Sequence, residues 1–357
     1  MTSLGQTLSI LKNATRPRSD DAVASRLSVV PDFGDNPGQL MMKAYAPAGQ
    51  APKAPLVIVL HGCTQSADEY AVSSGWLELA DAFGFAVVAP EQARANNPNL
   101  CFNWFEVADI RAKGGEAESI AHMVSYALRK WDLDPSRVFI AGFSAGGAMA
   151  GVMLATHPDL FAGGAIQAGL PYGVASSVAE AFQAMTGLTR ADGLGQRVTR
   201  TGSPAGRWPT VSVWHGEADG VVRPGAGEAV VEQWRQVHGV VGAGASARTA
   251  GGRIFQVWFS NDGRAVVEHH RIEGLGHSVS ISTRPGETFG GPSRYTTNTG
   301  VASCLEIALS WGIAERLSEE AGASAGSEPL LKPHRRSPAP AASTLINEAL
   351  RSAGLLR

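Results

Sequence analysis

Residues 142–146 read Gly-Phe-Ser-Ala-Gly, a G-x-S-x-G pentapeptide centred on Ser144. A serine hydroxyl can attack an ester or amide carbonyl if a base takes its proton and an acid orients that base. The pentapeptide alone decides little, because 42 of the 357 residues are glycine and chance matches are expected. Its flanks say more. "RVFIAGFS" (137–144) is an apolar run that reads as a buried strand, and "AGGAMAGVMLATHP" (145–158) reads as a small-residue helix stopped by proline. A sharp strand-to-helix turn holds a nucleophile out from a sheet. The helix N-terminus then sets backbone N–H groups beside it, ready for a developing oxyanion.

The partners are sought later in the chain, in the order serine, acid, histidine. His277, in "GLGHS", closes a strand expected over 266–277 and is the expected base. The acid should follow the strand between, and "WHGEADGVV" offers Asp219 and, two residues away, Glu217. The other histidines take structural places: His215 in or at the end of a strand, His269 and His270 mid-strand, His157 and His238 at helix ends. A second oxyanion donor is expected from "LHGCTQS" (60–66). There His61 and Gly62 turn the chain, and the Cys63 N–H would point into the site beside that of Ala145. Cys63 lacks the nucleophile's strand–turn–helix setting, and reads as a backbone donor or a disulfide partner. Phe102, Trp104 and Trp214 lie in or beside loops expected near the site. They are candidates to line an acyl chain, with core packing an equal alternative.

The elements that must position these residues alternate along the chain. Strands are expected at 55–62, 85–91, 137–144, 161–169, 210–219, 253–260 and 266–277, the last two paired around Asn261-Asp262-Gly263. Helices are expected at 70–84, 116–131, 145–158, 227–239 and 303–317. Apolar strands alternating with helices indicate an α/β fold with a mostly parallel sheet covered on both faces. One domain over 30–318 is the economical reading, with 171–198 as a candidate small lid. Residues 1–25 read as a mobile arm. Residues 319–357, rich in Pro, Ala and Ser, read as a disordered tail with a candidate short helix at its end.

Composition narrows the class. A net charge of −2 gives no reason to expect nucleic acid as a partner, and the basic stretch "KPHRR" reads as solvated tail. No apolar stretch is long and unbroken enough for a membrane span, and the N-terminus has no readable signal peptide, which favours a cytoplasmic location. The three cysteines, Cys63, Cys101 and Cys304, have no C-x-x-C spacing, so no zinc site or thioredoxin motif is expected; one disulfide and one free thiol fit the count, and the chain is expected to use neither metal nor cofactor. Oligomeric state is not legible.

"VIVLHGCTQSADEY", "NLCFNWFE", "RVFIAGFSAGGAMAGVMLATHPDLFAGGAIQAGLPYG", "VSVWHGEADGVVRPG" and "GLGHS", in this order between Gly38 and Arg316, resemble the polyhydroxybutyrate (PHB) depolymerase type of esterase. These are α/β-hydrolases related to feruloyl and acetylxylan esterases. The resemblance implies Ser144 as nucleophile, His277 as base and Asp219, rather than Glu217, as acid, with Cys63 and Ala145 as oxyanion donors. It implies a metal-independent serine ester hydrolase acting on poly- or oligo-(3-hydroxyalkanoate) or small carboxylic esters. Plant cell-wall esters are the alternative substrate, and a non-catalytic binding protein on the same fold is the alternative of another class. Two features depart from the pattern. The chain after His277, "SVSISTRPGETFGGPSRYTTNTG", lacks the family's tryptophan and glycine-rich turn. The signal peptide and polymer-binding domain of many extracellular relatives are not seen either, so a soluble oligomer or small ester suits the chain at least as well as solid polymer.

Overall fold

The computed structural model describes residues 26–189, 192–240, 242, 244–248 and 252–316. The expected arm at 1–25 and the expected tail at 319–357, together with the short helix expected at its end, lie outside them. In chain order the elements are β1 (Ser28–Val30), β2 (Met41–Tyr45), β3 (Leu56–Leu60), α1 (Ala67–Ser73), α2 (Trp76–Phe83), β4 (Ala86–Glu91), α3 (Gly115–Lys130), β5 (Val138–Phe143), α4 (Ala145–Thr156), β6 (Gly163–Gln167), α5 (Val178–Met185), α6 (Leu194–Thr199), β7 (Thr210–Gly216), α7 (Pro224–His238), β8 (Ala245–Arg248), β9 (Arg253–Phe259), β10 (Ala265–Ile272), β11 (Val279–Ile281), β12 (Thr296–Asn298) and α8 (Ser303–Ser310).

Ten strands form one sheet in the order β1-β2-β4-β3-β5-β6-β7-β10-β9-β8. Its centre, β4 through β10, is parallel. The strands beyond it on either side pair antiparallel. The period of two is visible in β3, buried throughout. Leu56, Ile58 and Leu60 face one core layer with Ile120, Met149 and Val230; Val57 and Val59 face the other with Trp76, Leu79 and Leu305. Helix α4 is buried along its length, which its Gly and Ala content permits, since small residues let a helix lie close to the sheet.

Three expectations about elements need correction. The helix expected at 70–84 is two helices, α1 and α2, because Gly75 takes a left-handed φ of 88° between them. A Cβ at Gly75 would lie 2.6 Å from the Phe289 backbone, so the break admits the loop at 289–291. The last helix stops at Ser310, followed by Gly312 at φ 67°, rather than running to 317. Strand β10 ends at Ile272, and Gly274 at φ 72° turns the chain into the loop that carries His277. The short strands β1, β2, β8, β11 and β12 were not anticipated. The segment 171–198 carries α5 and the start of α6 and is tied to α7: Tyr172 N–H donates to Gln233 Oε1 (2.8 Å), Gln233 Nε2 donates to Leu194 O (3.1 Å), and Gly195 N–H donates to Gln236 Oε1 (2.8 Å).

Candidate active site

Ser144 stands between β5 and α4 with φ 56° and ψ −117°, a conformation that costs a non-glycine residue about 1–3 kcal/mol. The surrounding backbone holds it there: Ser144 N–H donates to Gln167 O at 2.9 Å, and Ser144 O accepts from Ala148 N–H at 2.9 Å. The two glycines of the pentapeptide have separate steric reasons. A Cβ at Gly142 would fall 2.1 Å from Gly146 O, across the turn itself. A Cβ at Gly146 would fall 2.2 Å from Leu60 O, where α4 meets the end of β3. The pattern is thus a packing requirement that presents Ser144, itself 9% exposed, at the carboxyl end of a central strand.

The loops after β7 and β10 meet beside it. Glu217 N–H donates to Ile272 O and Ala218 N–H to Leu275 O, each at 3.0 Å. Gly216 allows this approach, since a Cβ there would lie 2.2 Å from Leu275 O. The result brings together three residues far apart in sequence. His277 Nδ1–H donates to Asp219 Oδ2 at 2.7 Å, and His277 Nε2 accepts from Ser144 Oγ at 2.9 Å. The network fixes the tautomer: an ionised carboxylate only accepts, so the proton sits on Nδ1. The His277 ring also lies 4.9 Å from that of Phe143, which packs against it at the end of β5.

Asp219 is buried. Its Oδ1 accepts from Val221 N–H (2.8 Å) and Val222 N–H (2.9 Å). Burial by itself would raise its pKa, but hydrogen bonds and charge from His215 and His277 outweigh this and hold the carboxyl well below the usual carboxylate range. Sequence reasoning missed His215 as a neighbour of the acid. Its Nε2–H donates to Val222 O at 2.8 Å and lies 3.5 Å from Asp219 Oδ2. Glu217, the competing acid, is turned away and pairs with Arg271 at 3.5 Å.

The loop after β3 borders the serine through Gly146, and it is stiffly built. Cys63 is disulfide-bonded to Cys101, and Cys304 is free and buried. Gly62 N–H donates to Gln65 Oε1 at 2.9 Å. His61 is fully buried: its Nδ1–H donates to Gly62 O (2.8 Å) and its Nε2 accepts from Gln92 N–H (3.2 Å). Burial lowers its pKa, so it stays neutral. Behind it lies the buried Glu116 carboxyl, which accepts from Gln92 Nε2 (2.5 Å) and Asn103 N–H (2.9 Å); burial pushes its pKa up to about 8.

Of the aromatic candidates, Phe102 is fully buried with its ring 4.9 Å from His61, and Trp104 is buried edge-on to Phe105. Trp214 lies in β7, buried and stacked on His270 at 3.8 Å. His269 and His270 are buried in β10, while His157 and His238 bond the carbonyls of Ala112 and Pro209. Among the described residues no group of three or more His, Cys, Asp or Glu side chains is arranged to hold a metal ion. Nor is any helix among them long and apolar enough to cross a membrane.

The family model described as "Esterase PHB depolymerase" matches residues 40–257. The chain belongs to the esterase PHB depolymerase family. Within it, the chain is 40% identical over 291 residues to poly(3-hydroxyalkanoate) depolymerase C of Paucimonas lemoignei, covering 80% of this chain and 70% of that protein. It is 32% identical to an acetylxylan esterase of Coprinopsis cinerea, over 75% of this chain and 73% of the relative. The solved acetyl xylan esterase of Aspergillus awamori superposes with a TM-score of 0.64 at 26% identity, covering 70% of this chain and 93% of the other. These similarities give the α/β-hydrolase fold and make this member of the esterase PHB depolymerase family a carboxylic ester hydrolase.

Proposed function

We propose that the protein cleaves esters of hydroxyalkanoic acids through a Ser144–His277–Asp219 triad. One observation carries the reading: a continuous hydrogen-bonded path, 2.9 Å from Ser144 Oγ to His277 Nε2 and 2.7 Å from His277 Nδ1 to Asp219 Oδ2. Ser144 Oγ attacks the carbonyl carbon as His277 Nε2 takes its proton. Asp219, held ionised, keeps the imidazole in the productive tautomer and stabilises the imidazolium. The tetrahedral oxyanion is received by the N–H groups of Cys63 and Ala145. Ala145 is the first residue of α4, where a backbone N–H has no intrahelical acceptor. No hydrogen bond from the Cys63 N–H to another described residue competes for that donor. His277 protonates the departing alcohol, then takes a proton from the water that releases the acid from Ser144.

The 40% identity to a poly(3-hydroxyalkanoate) depolymerase favours a hydroxyalkanoate ester as substrate, oligomeric or polymeric. The acetylxylan esterase relative and structural neighbour support a second reading, an acetyl or feruloyl ester of plant cell wall. The discriminating experiment offers the purified protein 3-hydroxybutyrate trimer, PHB film, methyl ferulate and acetylated xylan, with Ser144→Ala in parallel. The first reading predicts fastest turnover, by at least tenfold, on the hydroxybutyrate esters. Preference for ferulate or acetylxylan would replace it with the second.

A further inference from the structure

As an oxyanion donor, the Cys63 N–H must be held aimed into the site by the loop that carries it. The next residue, Thr64, has φ 63°. A β-branched residue in the left-handed region is a genuine outlier, and such strain persists only where neighbours over-determine it. Three neighbours do so. On one side, Cys63 is bonded to Cys101, and Thr64 N–H donates to Asn99 O at 2.7 Å. Residues 99–101 are themselves constrained, with Leu100 at φ 55°. On the other side, the Thr64 hydroxyl is hydrogen-bonded to the hydroxyl of Tyr295, 231 residues away.

Tyr295 is attached to the other half of the site. Val279 N–H donates to Tyr295 O at 2.8 Å, where β11 begins to pair with β12 two residues after His277. Ser278 Oγ and Thr297 Oγ1, 2.8 Å apart, tie the same two segments. The Tyr295 ring is half-buried against the core layer that contains Phe143 and Leu275. One side chain therefore spans from the strand pair behind His277 to the strained residue beside Cys63.

We propose that Tyr295 is a positioning residue: through the Thr64 hydroxyl it holds the loop after β3 in its strained conformation, and so fixes the Cys63 N–H relative to the loop carrying His277. This rests on Cys63 being an oxyanion donor. A donor whose value is realised in the transition state acts on kcat with little effect on KM.

The test uses the full chain, with kcat and KM on p-nitrophenyl butyrate and the Ki of an alkyl trifluoromethyl ketone. That inhibitor forms a tetrahedral adduct with an active serine and places an oxyanion in the hole. Tyr295→Phe removes one hydroxyl, and kcat is expected to fall about fivefold, the scale of one hydrogen bond, with KM within twofold. Ki should rise in step with the loss of kcat/KM. Thr64→Val, which removes the bond from its other end, should do the same, and Thr64→Ser should retain wild-type kcat. Thr64→Gly removes both the strain and the hydroxyl, so adding Tyr295→Phe to it should change kcat by less than 1.5-fold. This non-additivity would not arise from a general loss of stability. Full additivity in that double variant, or a fall in kcat without a rise in Ki, overturns the proposal. Failure of the triad reading would show differently, as turnover that survives in Ser144→Ala.

Discussion

Gly146→Ala adds one methyl group to the helix that follows Ser144, and its effect can be worked from two distances. The new Cβ would stand 2.2 Å from Leu60 O, at the end of the buried strand β3, and 2.5 Å from His61 O, the next backbone carbonyl. Ordinary van der Waals contact at such positions begins at 3.4 Å. Neither carbonyl has a side chain's freedom to swing aside, so α4 must withdraw from β3 by roughly 1 Å, a displacement that can cost about 100-fold in rate at a catalytic centre. The same movement separates the Ala145 N–H from that of Cys63. Stability should change less. Overpacking costs about 1–3 kcal/mol, while replacing a helical glycine by alanine returns up to about 1 kcal/mol. The assay is kcat/KM on p-nitrophenyl butyrate together with Tm. The control is Gly151→Ala in the same helix, where the nearest atom to a new Cβ is the flexible Ile166 Cδ1 at 3.5 Å. The control should keep its activity and gain a little stability. A Gly146→Ala protein with kcat/KM within twofold of wild type would refute the packing argument for the pentapeptide.

Other outcomes follow from the same geometry. Asp219→Asn should lower kcat by about four powers of ten, because an amide there no longer favours the Nδ1–H tautomer. Glu217→Gln, altering a residue paired with Arg271, should stay within a few-fold in the same assay. Glu116, pushed up to about 8 from an ordinary 4.5, keeps its proton in the folded protein where the unfolded chain loses it. Its contribution to stability therefore falls as pH rises from 4.5 to about 8 and is level on either side. In Glu116→Gln an amide nitrogen faces the Gln92 or Asn103 donor, so wild type should have the higher Tm at pH 5, with the gap narrowing towards pH 8. A gap independent of pH would contradict this assignment. The Cys63–Cys101 bridge spans a sequence separation of 38, for which loop entropy gives about 4 kcal/mol. Replacing both cysteines by serine should lower Tm, and should lower kcat more than it raises KM.

The grouping of Ser144, Asp219 and His277 was legible because each of them sits in a local pattern with a steric cause. Ser144 lies between glycines that its turn requires, Asp219 follows a strand whose last residue, Gly216, must admit Leu275, and His277 comes after small residues that let its loop reach over. The parallel centre of the sheet was legible for a similar reason: strands buried on both faces leave continuous apolar runs. What escaped was set by distant contacts. The loop at 289–291 needs the break at Gly75, and neither segment announces the other. The edge strand β1 is three residues long with two of them exposed, so it shows no period. His215 beside Asp219 and Tyr295 beside Thr64 are hydrogen-bond relations, and hydrophobic periodicity carries no information about them.

The central claim is that Ser144 is the nucleophile of this ester hydrolase. It is tested most directly by treating the protein with diethyl p-nitrophenyl phosphate, which phosphorylates activated serines, and locating the label by mass spectrometry while turnover of p-nitrophenyl butyrate is followed. The expected result is one label per chain on the peptide containing Ser144, loss of turnover in proportion to labelling, and neither label nor turnover in Ser144→Ala. A label on another residue, or turnover that survives in Ser144→Ala, would contradict the account.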